Sequence, residues 1–264
     1  MSTYSPPPSL ENEPPTPYPA SPYPPNRQTM VRVQLPPRNP WMVYTLLGLS
    51  VAMFALQMLS QFLFQGDYLA ALGMKYNDAI RAGQFWRLLT PVLLHGSVLH
   101  IGFNMYALYV IGPGLERFYG HGRFLLLYLI GGFAGNVLSF ILSPEASLGA
   151  STAIFALIAA EGIFILKNRF LFGAEARSLM INIGVIILVN LALGLSPGID
   201  NWGHLGGLIG GVIFAWFAGP LLQVNPQSLP PQLEDRRSSQ QVWLTALLEV
   251  ALLSALVLLG FNVS

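Results

Sequence analysis

Hydroxyl, imidazole and amide side chains interrupt three otherwise apolar stretches of the sequence. His100 and Asn104 lie in the second of seven such stretches, Ser151 opens the fourth, and His204 lies near the start of the sixth. A hydroxyl beside an imidazole that can take its proton forms the nucleophile and base of acyl transfer. Imidazole and amide donors can stabilise the oxyanion that this reaction creates. The residue types therefore favour acyl-transfer chemistry, provided that the three stretches meet at one level.

The local sequence around these residues supports two readings. His100 and Asn104 are four residues apart and share one face of a helix. Ser151 opens a predicted helix, where free backbone N–H groups and the positive end of the helix dipole suit an oxyanion. Taken singly, however, Ser151 could be a helix N-cap, His204 a buried core histidine, and Asn104 an interhelical hydrogen-bonding residue.

The composition is that of a membrane protein. Of the 264 residues, 53% are hydrophobic and 9% are charged, whereas a soluble domain carries about 25% charged residues. The 13 basic and 12 acidic residues nearly cancel, which argues against nucleic acid as a partner. The chain contains no cysteine, so disulfides, thiolate metal ligands and a cysteine nucleophile are excluded.

The apolar stretches predict a polytopic, all-α membrane bundle. A helix needs about 20 apolar residues to cross a bilayer, and an outer-membrane barrel would instead show alternating segments of about 10 residues. The sequence predicts seven transmembrane helices, six in a core and a C-terminal seventh, at residues 41–64, 92–115, 123–142, 149–166, 179–195, 202–221 and 243–261.

The basic residues predict the orientation of this bundle. Ten of the 13 lysine and arginine residues lie in the N-terminal tail or in the even-numbered breaks between spans. Because cytoplasmic loops are enriched in these residues, we expect a cytoplasmic N-terminus and an external C-terminus. Spans two, four and six then begin in the outer half of the bilayer, so their polar residues lie at one depth. The aromatic-rich first break, residues 66–91, is expected to fold onto the outer interface.

Three regions follow from this pattern. Residues 1–40 contain 13 of the 21 prolines and predict a disordered, Pro-rich cytoplasmic tail, either inert or bound by a partner through its proline runs. Residues 41–221 form the predicted six-helix core. Residues 222–264 form the predicted cytoplasmic linker and seventh transmembrane helix.

Three motifs in this order resemble the rhomboid family of intramembrane serine proteases. They read HGSVLHIGFNMYALYVIGPGLER on span two, GASTAIFA on span four and GHLGGLIGG on span six. The preceding WRLLTPVLLHG, which contains Trp86 and Arg87, is similar to the first external loop of that family. The resemblance covers about residues 66–215.

The resemblance implies a role for each motif residue. Ser151 would be the nucleophile and His204 its general base, in a dyad without a carboxylate. His100 and Asn104 would stabilise the oxyanion together with the Ser151 backbone N–H. Supporting roles fall to Gly149 in the nucleophile motif, Phe155 against the base, Gly207 and Gly211 between spans six and four, and His95, Trp86 and Arg87. No cofactor or metal is implied.

One position departs from the family pattern. The nucleophile motif usually reads G-x-S-G, but Thr152 follows Ser151 here. Either this position tolerates threonine, or the chain is a catalytically inactive relative that binds membrane helices. We expect an active enzyme, because the other motif residues are intact.

Other classes of protein fit the sequence less well. An aspartyl intramembrane protease would need two aspartates within spans, and a site-two metalloprotease would need H-E-x-x-H; neither occurs. His95 and His100 are five apart, which on a helix turns their rings apart and disfavours a metal site. A transporter could use Glu161 and Glu249 as intramembrane charges, but no repeated broken-helix pattern is present.

The resemblance thus implies an intramembrane serine endopeptidase that cleaves single-span transmembrane helices of client proteins near the outer membrane face. Its expected partners are transmembrane protein substrates and the lipid bilayer. We expect an integral membrane protein of a bacterial plasma membrane. The client proteins and the oligomeric state stay open.

Overall fold

Within residues 39–261, seven helices of 17 to 24 residues overlap the seven predicted apolar stretches. The computed structural model describes residues 39–261, so nearly all of the predicted tail at 1–40 lies outside the described residues. In chain order the helices are α1 (Trp41–Phe64), α2 (Tyr68–Gly73), α3 (Asn77–Arg81), α4 (Val98–Tyr119), α5 (His121–Leu142), α6 (Ser151–Lys167), α7 (Ala176–Leu193), α8 (Asn201–Ala218) and α9 (Ser239–Gly260).

The predicted polytopic helical bundle is confirmed. Within the described residues, α1, α4, α5, α9 and the segment Gly173–Leu193 that includes α7 are long and apolar enough to cross a membrane. The helices α6 and α8 have 17 and 18 residues and fall outside this group of five. The count of six core spans plus one therefore stays a prediction.

The centre of the bundle is built from α5, α6 and α8, which contact one another along faces of glycine and alanine. A Cβ atom added to Gly207 would lie 2.0 Å from the Thr152 carbonyl oxygen, and one added to Gly211 would lie 2.4 Å from the Ala156 Cα. Only glycine leaves room for a backbone at this distance, as at close crossings of membrane helices. The beginnings of α6 and α8 are consequently held side by side.

The segment between α1 and α4, residues 65–97, is folded rather than extended, and we call it the first loop. It contains α2, α3 and the 3-10 turns Phe85–Leu88 and Thr90–Leu93. The buried Asn136 on α5 donates a hydrogen bond from Nδ2 to the Leu88 carbonyl oxygen (3.0 Å). The first loop is thereby attached to the central helices.

A short antiparallel hairpin in the linker before α9 was not expected from the sequence. Strand β1 (Leu222–Asn225) pairs with β2 (Gln232–Asp235). The buried Asn168 fixes its start, because its Nδ2 donates to the Pro220 carbonyl oxygen and its Oδ1 accepts from the Leu222 N–H. Four-residue strands are too short to give a clear alternating pattern, which is why the linker carried no strand prediction.

The buried carboxylate of Glu116 caps the start of α1. It accepts hydrogen bonds from the backbone N–H groups of Met42 (2.9 Å) and Val43 (2.8 Å), and it contacts His121. The first N–H groups of a helix have no partner within that helix. Glu116 therefore satisfies two of them and joins α1 to the end of α4.

Replacing Glu116 by alanine should destabilise the fold by about 3 kcal/mol, because two buried N–H groups lose a charged acceptor. The midpoint of thermal unfolding in detergent should fall measurably. Glu175→Ala, which removes an exposed carboxylate, is the matched control and should leave the midpoint unchanged. Equal midpoints for the two variants would contradict the capping role.

Candidate active site

The start of α6 requires a glycine two residues before Ser151. Gly149 has φ +134°, a conformation that residues with a side chain rarely adopt. A Cβ at this position would also lie 2.6 Å from Nε2 of His100. Gly149 therefore satisfies both the backbone turn and the close approach of His100 to the loop before Ser151.

His100 and Asn104 lie in the first turns of α4, as their spacing predicts. The Ser97 hydroxyl caps this helix and accepts a hydrogen bond from the His100 N–H (3.1 Å). The amide of Asn104 donates to the His100 carbonyl oxygen (3.0 Å), and its side chain is almost fully buried. The cap and this hydrogen bond fix the positions of both side chains along the axis of α4.

His204 lies in the first turn of α8 and stacks on an aromatic ring of α6. The His204 and Phe155 ring centroids are 4.4 Å apart with planes inclined by 15°. Phe155 is one turn beyond Ser151 on the same helix, so the stacked ring places the imidazole beside α6.

The first turn of α8 is also fixed by a carboxylate that lies outside the three motifs. Asp200 caps α8 by accepting from the Gly203 N–H (2.9 Å), and the Ser139 hydroxyl on α5 donates to its other oxygen. An aspartate directly before a predicted helix is an N-cap signal. Its partner on α5 could not be read from the sequence.

Five predicted site residues line one cavity of about 690 Å³. Cavities of about 300–1,000 Å³ are typical of ligand sites. The residues that line it include Ser151, His204, His100, Asn104, Phe155 and Asp200. The structure thus brings a hydroxyl, an imidazole and two further donors to a single opening, as acyl transfer requires.

The expectation that the rings of His95 and His100 turn apart is wrong. Their centroids lie 5.2 Å apart, edge to face, because α4 begins only at Val98 and His95 is not helical. The side chain of Gln57 hydrogen-bonds both the N–H and the carbonyl of the buried His95. Within residues 39–261, no group of three or more histidine, cysteine, aspartate or glutamate side chains could hold a metal ion.

Two of the predicted supporting residues, Trp86 and Arg87, make hydrogen bonds within the first loop. Trp86 donates from Nε1 to the Leu72 carbonyl oxygen (3.0 Å). The buried Arg87 donates from Nη1 to the Met74 carbonyl oxygen (2.9 Å) and from Nε to Gln84. These bonds hold the 3-10 turn against α2 and the residues that follow it.

Thr152 is buried at the crossing of three helices. A Cβ added to Gly135 on α5 would lie 2.5 Å from the Thr152 Cβ, and one added to Gly203 on α8 would lie 3.1 Å from its methyl group. The threonine methyl therefore occupies space that two glycines on the facing helices leave open. Its hydroxyl has no hydrogen-bond partner among residues 39–261.

Bundle, motifs and cavity together are those of an intramembrane protease fold. The family model of the rhomboid domain matches residues 82–221, and the chain belongs to the rhomboid family.

Similar proteins come from bacteria and plants. The chain is 44% identical over 178 residues to the rhomboid protease GluP of Bacillus subtilis, covering 67% of this chain and 34% of that protein. It is 35% identical over 154 residues to the chloroplastic RHOMBOID-like protein 9 of Arabidopsis thaliana, covering 58% and 36%. It is 34% identical over 169 residues to the mitochondrial RHOMBOID-like protein 6 of that plant, covering 64% and 52%. The chain thus spans about a third to a half of the length of these relatives.

Because Thr152 fits between two glycines, Thr152→Gly should change kcat/KM for a model substrate by no more than about tenfold, or roughly 1.4 kcal/mol. Thr152→Leu should be more harmful, because it overpacks the contact with Gly135 and Gly203. Purified variants compared on one fluorogenic transmembrane substrate give these values. An inert wild type whose activity is restored by Thr152→Gly, in a Ser151-dependent manner, would identify threonine as an inactivating substitution.

Proposed function

We propose that this chain is a serine endopeptidase that hydrolyses a peptide bond in or beside a single transmembrane helix of a client protein, near the outer membrane face. The observation that carries the proposal is the cavity that Ser151, His204, His100 and Asn104 share. Membership in the rhomboid family supports the reaction class.

In the proposed mechanism His204 removes the proton from the Ser151 hydroxyl as its oxygen attacks the scissile carbonyl. The negative charge moves to the carbonyl oxygen, which the Ser151 N–H, His100 and Asn104 stabilise. His204 then protonates the leaving amine, and an acyl-enzyme remains. Water, deprotonated by His204, attacks the acyl group and releases Ser151.

The substrate must present an extended segment to this site. In a helix, the carbonyl of the scissile bond is hydrogen-bonded and shielded by the turn around it. We therefore propose that the client helix unwinds locally before cleavage, and that small residues at the cut and helix-weakening residues beyond it favour this step. Water reaches Ser151 through the polar cavity.

A catalytically inactive binder of membrane helices is the second candidate function. It is favoured by one observation, the threonine that replaces the usual glycine directly after Ser151. A transporter has less support: Glu249 is buried opposite Gly210, with 3.4 Å between its Oε1 and the position of an added Cβ, and belongs to a contact between α9 and α8.

We further propose a bacterial plasma membrane as the location and transmembrane proteins as the clients. The Bacillus relative supports this location, although two of the plant relatives carry chloroplastic and mitochondrial in their names.

The dyad can be tested by co-expressing the chain with a panel of tagged single-span proteins. Ser151→Ala and His204→Ala should abolish cleavage, whereas His100→Ala and Asn104→Ala should each reduce its rate by about 10² to 10³, the cost of one oxyanion donor. Ser196→Ala, which removes an exposed hydroxyl in the loop before α8, is the matched control. Fluorophosphonate labelling that survives in Ser151→Ala would exclude Ser151 as the nucleophile.

The orientation can be tested with single cysteines, because the chain has no native cysteine. Ser196→Cys should react with a membrane-impermeant thiol reagent in intact cells, and Arg169→Cys should be protected until the cells are opened. Both positions are exposed. The reverse pattern would place the cavity at the cytoplasmic face.

A further inference from the structure

The loop that leads into Ser151 is held by a fully buried lysine. This nucleophile loop, residues 143–150, runs from the end of α5 to the start of α6. The ammonium group of Lys75 in the first loop donates hydrogen bonds to the carbonyl oxygens of Ser143 (2.8 Å) and Glu145 (2.7 Å). Lys75 has no exposed surface, and a lysine is almost never fully buried unless it is paired.

Asn77, two residues after Lys75 in the first loop, binds the same end of α5. Its Nδ2 donates to the carbonyl oxygens of Phe140 (3.2 Å) and Ser143 (3.0 Å). The last carbonyl groups of a helix have no partner within that helix, and a cation is favourable at this negative end. Lys75 and Asn77 therefore supply the hydrogen-bond donors that the carbonyl groups at the end of α5 lack within the helix.

Backbone hydrogen bonds continue this attachment toward the nucleophile. Lys75 and Ser147 form an antiparallel bridge in which each N–H donates to the other's carbonyl oxygen (2.9 and 3.0 Å). Two residues on, the Gly149 N–H donates to the Pro91 carbonyl oxygen (2.9 Å). The nucleophile loop is thus bound to the first loop from its beginning to the glycine that faces His100.

The position of these bonds connects them to the cavity. Met74, next to Lys75, lines the cavity together with Ser147 and Leu148 of the nucleophile loop. The carbonyl of Met74 is in turn held by Arg87. A displacement of the Lys75–Ser147 bridge would consequently move the wall from which Ser151 is presented.

Lys75 carries its charge at neutral pH. Burial lowers its pKa to about 8, while the carboxylates of Asp200 and Glu145 act in the opposite direction and Arg81 adds to the lowering. The ammonium form therefore predominates at pH 7, and its three donors can serve both carbonyl groups.

We propose that Lys75 and Asn77 are positioning residues for the nucleophile: they fix residues 143–150 so that Gly149 stays against His100 and Ser151 faces the cavity. The catalytic part of this proposal rests on the proposed protease function. Without these hydrogen bonds, a loop that lacks regular secondary structure would allow Ser151 to change position. A displacement of about 1 Å can reduce the rate of a reaction by about a hundredfold.

The test compares Lys75→Met with Lys167→Met, which changes the chain's other lysine at the far end of α6. We expect Lys75→Met to lower kcat at least tenfold with KM within twofold. Amide hydrogen exchange at residues 143–149 should rise at least tenfold, while exchange in the middle of α6 and α8 stays at the wild-type rate. Lys167→Met should match wild type in all three measurements.

A second variant covers the case in which Lys75→Met does not fold. Asn77→Ala keeps the lysine and loses two hydrogen bonds, so it should change kcat and exchange of the nucleophile loop in the same direction by a smaller factor. Unchanged kcat, unchanged exchange at 143–149, or an exchange increase spread evenly over α6 and α8 would each overturn the positioning role.

The same experiment separates this proposal from the protease assignment. A wild type that shows neither cleavage nor Ser151-dependent fluorophosphonate labelling would refute the protease function. Exchange at residues 143–149 in Lys75→Met would still decide whether Lys75 holds the nucleophile loop.

Discussion

The contact of α8 with α6 is the constraint on which the rest of the structure depends. Gly207 and Gly211 bring the α8 backbone so close to Thr152 and Ala156 that no side chain fits between them. Apolar burial does not drive helix association in lipid, and close packing of small residues takes its place. Since Ser151 begins α6 and His204 lies in the first turn of α8, the distance between hydroxyl and imidazole follows from how closely these two helices approach.

Close packing determines the distance between the helices. Polar groups determine the position of each helix along its own axis relative to its neighbours. Asp200 fixes the first turn of α8 and is bound by Ser139 of α5, so α8 cannot slide along α5 without losing a partly buried hydrogen bond. Ser97 fixes the start of α4 itself by accepting a hydrogen bond from the N–H of His100. Bonds of this kind are directional, whereas apolar contacts in a membrane are interchangeable. The site therefore needs both kinds of contact.

The sequence predicts those features that depend on local pattern. The bounds of α1 match the first apolar stretch, because hydropathy over 24 residues is a strong signal. The start of α4 was placed six residues too early, because apolar residues around Pro91 form a 3-10 turn outside the helix, and the error misplaced the ring of His95. The burial of Lys75 could not be predicted from the sequence, because its partners are 68 and 70 residues away in the chain and no local pattern encodes that contact.

The helices around the cavity differ in how firmly they are held. In the hydrophobic part of α5, 61% of residues are buried inside the protein, against 6% in the segment that contains α7. The proposed catalytic groups come from α4, α6 and α8, and α6 and α8 pack on α5, whereas Ile186 and Asn190 of α7 border the same cavity. A helix with few buried contacts can be displaced locally at a low cost in free energy. The proposed site thus combines a wall that is firmly packed on α5 with the loosely packed α7, an arrangement that suits the proposed substrate, which is itself a helix in the bilayer.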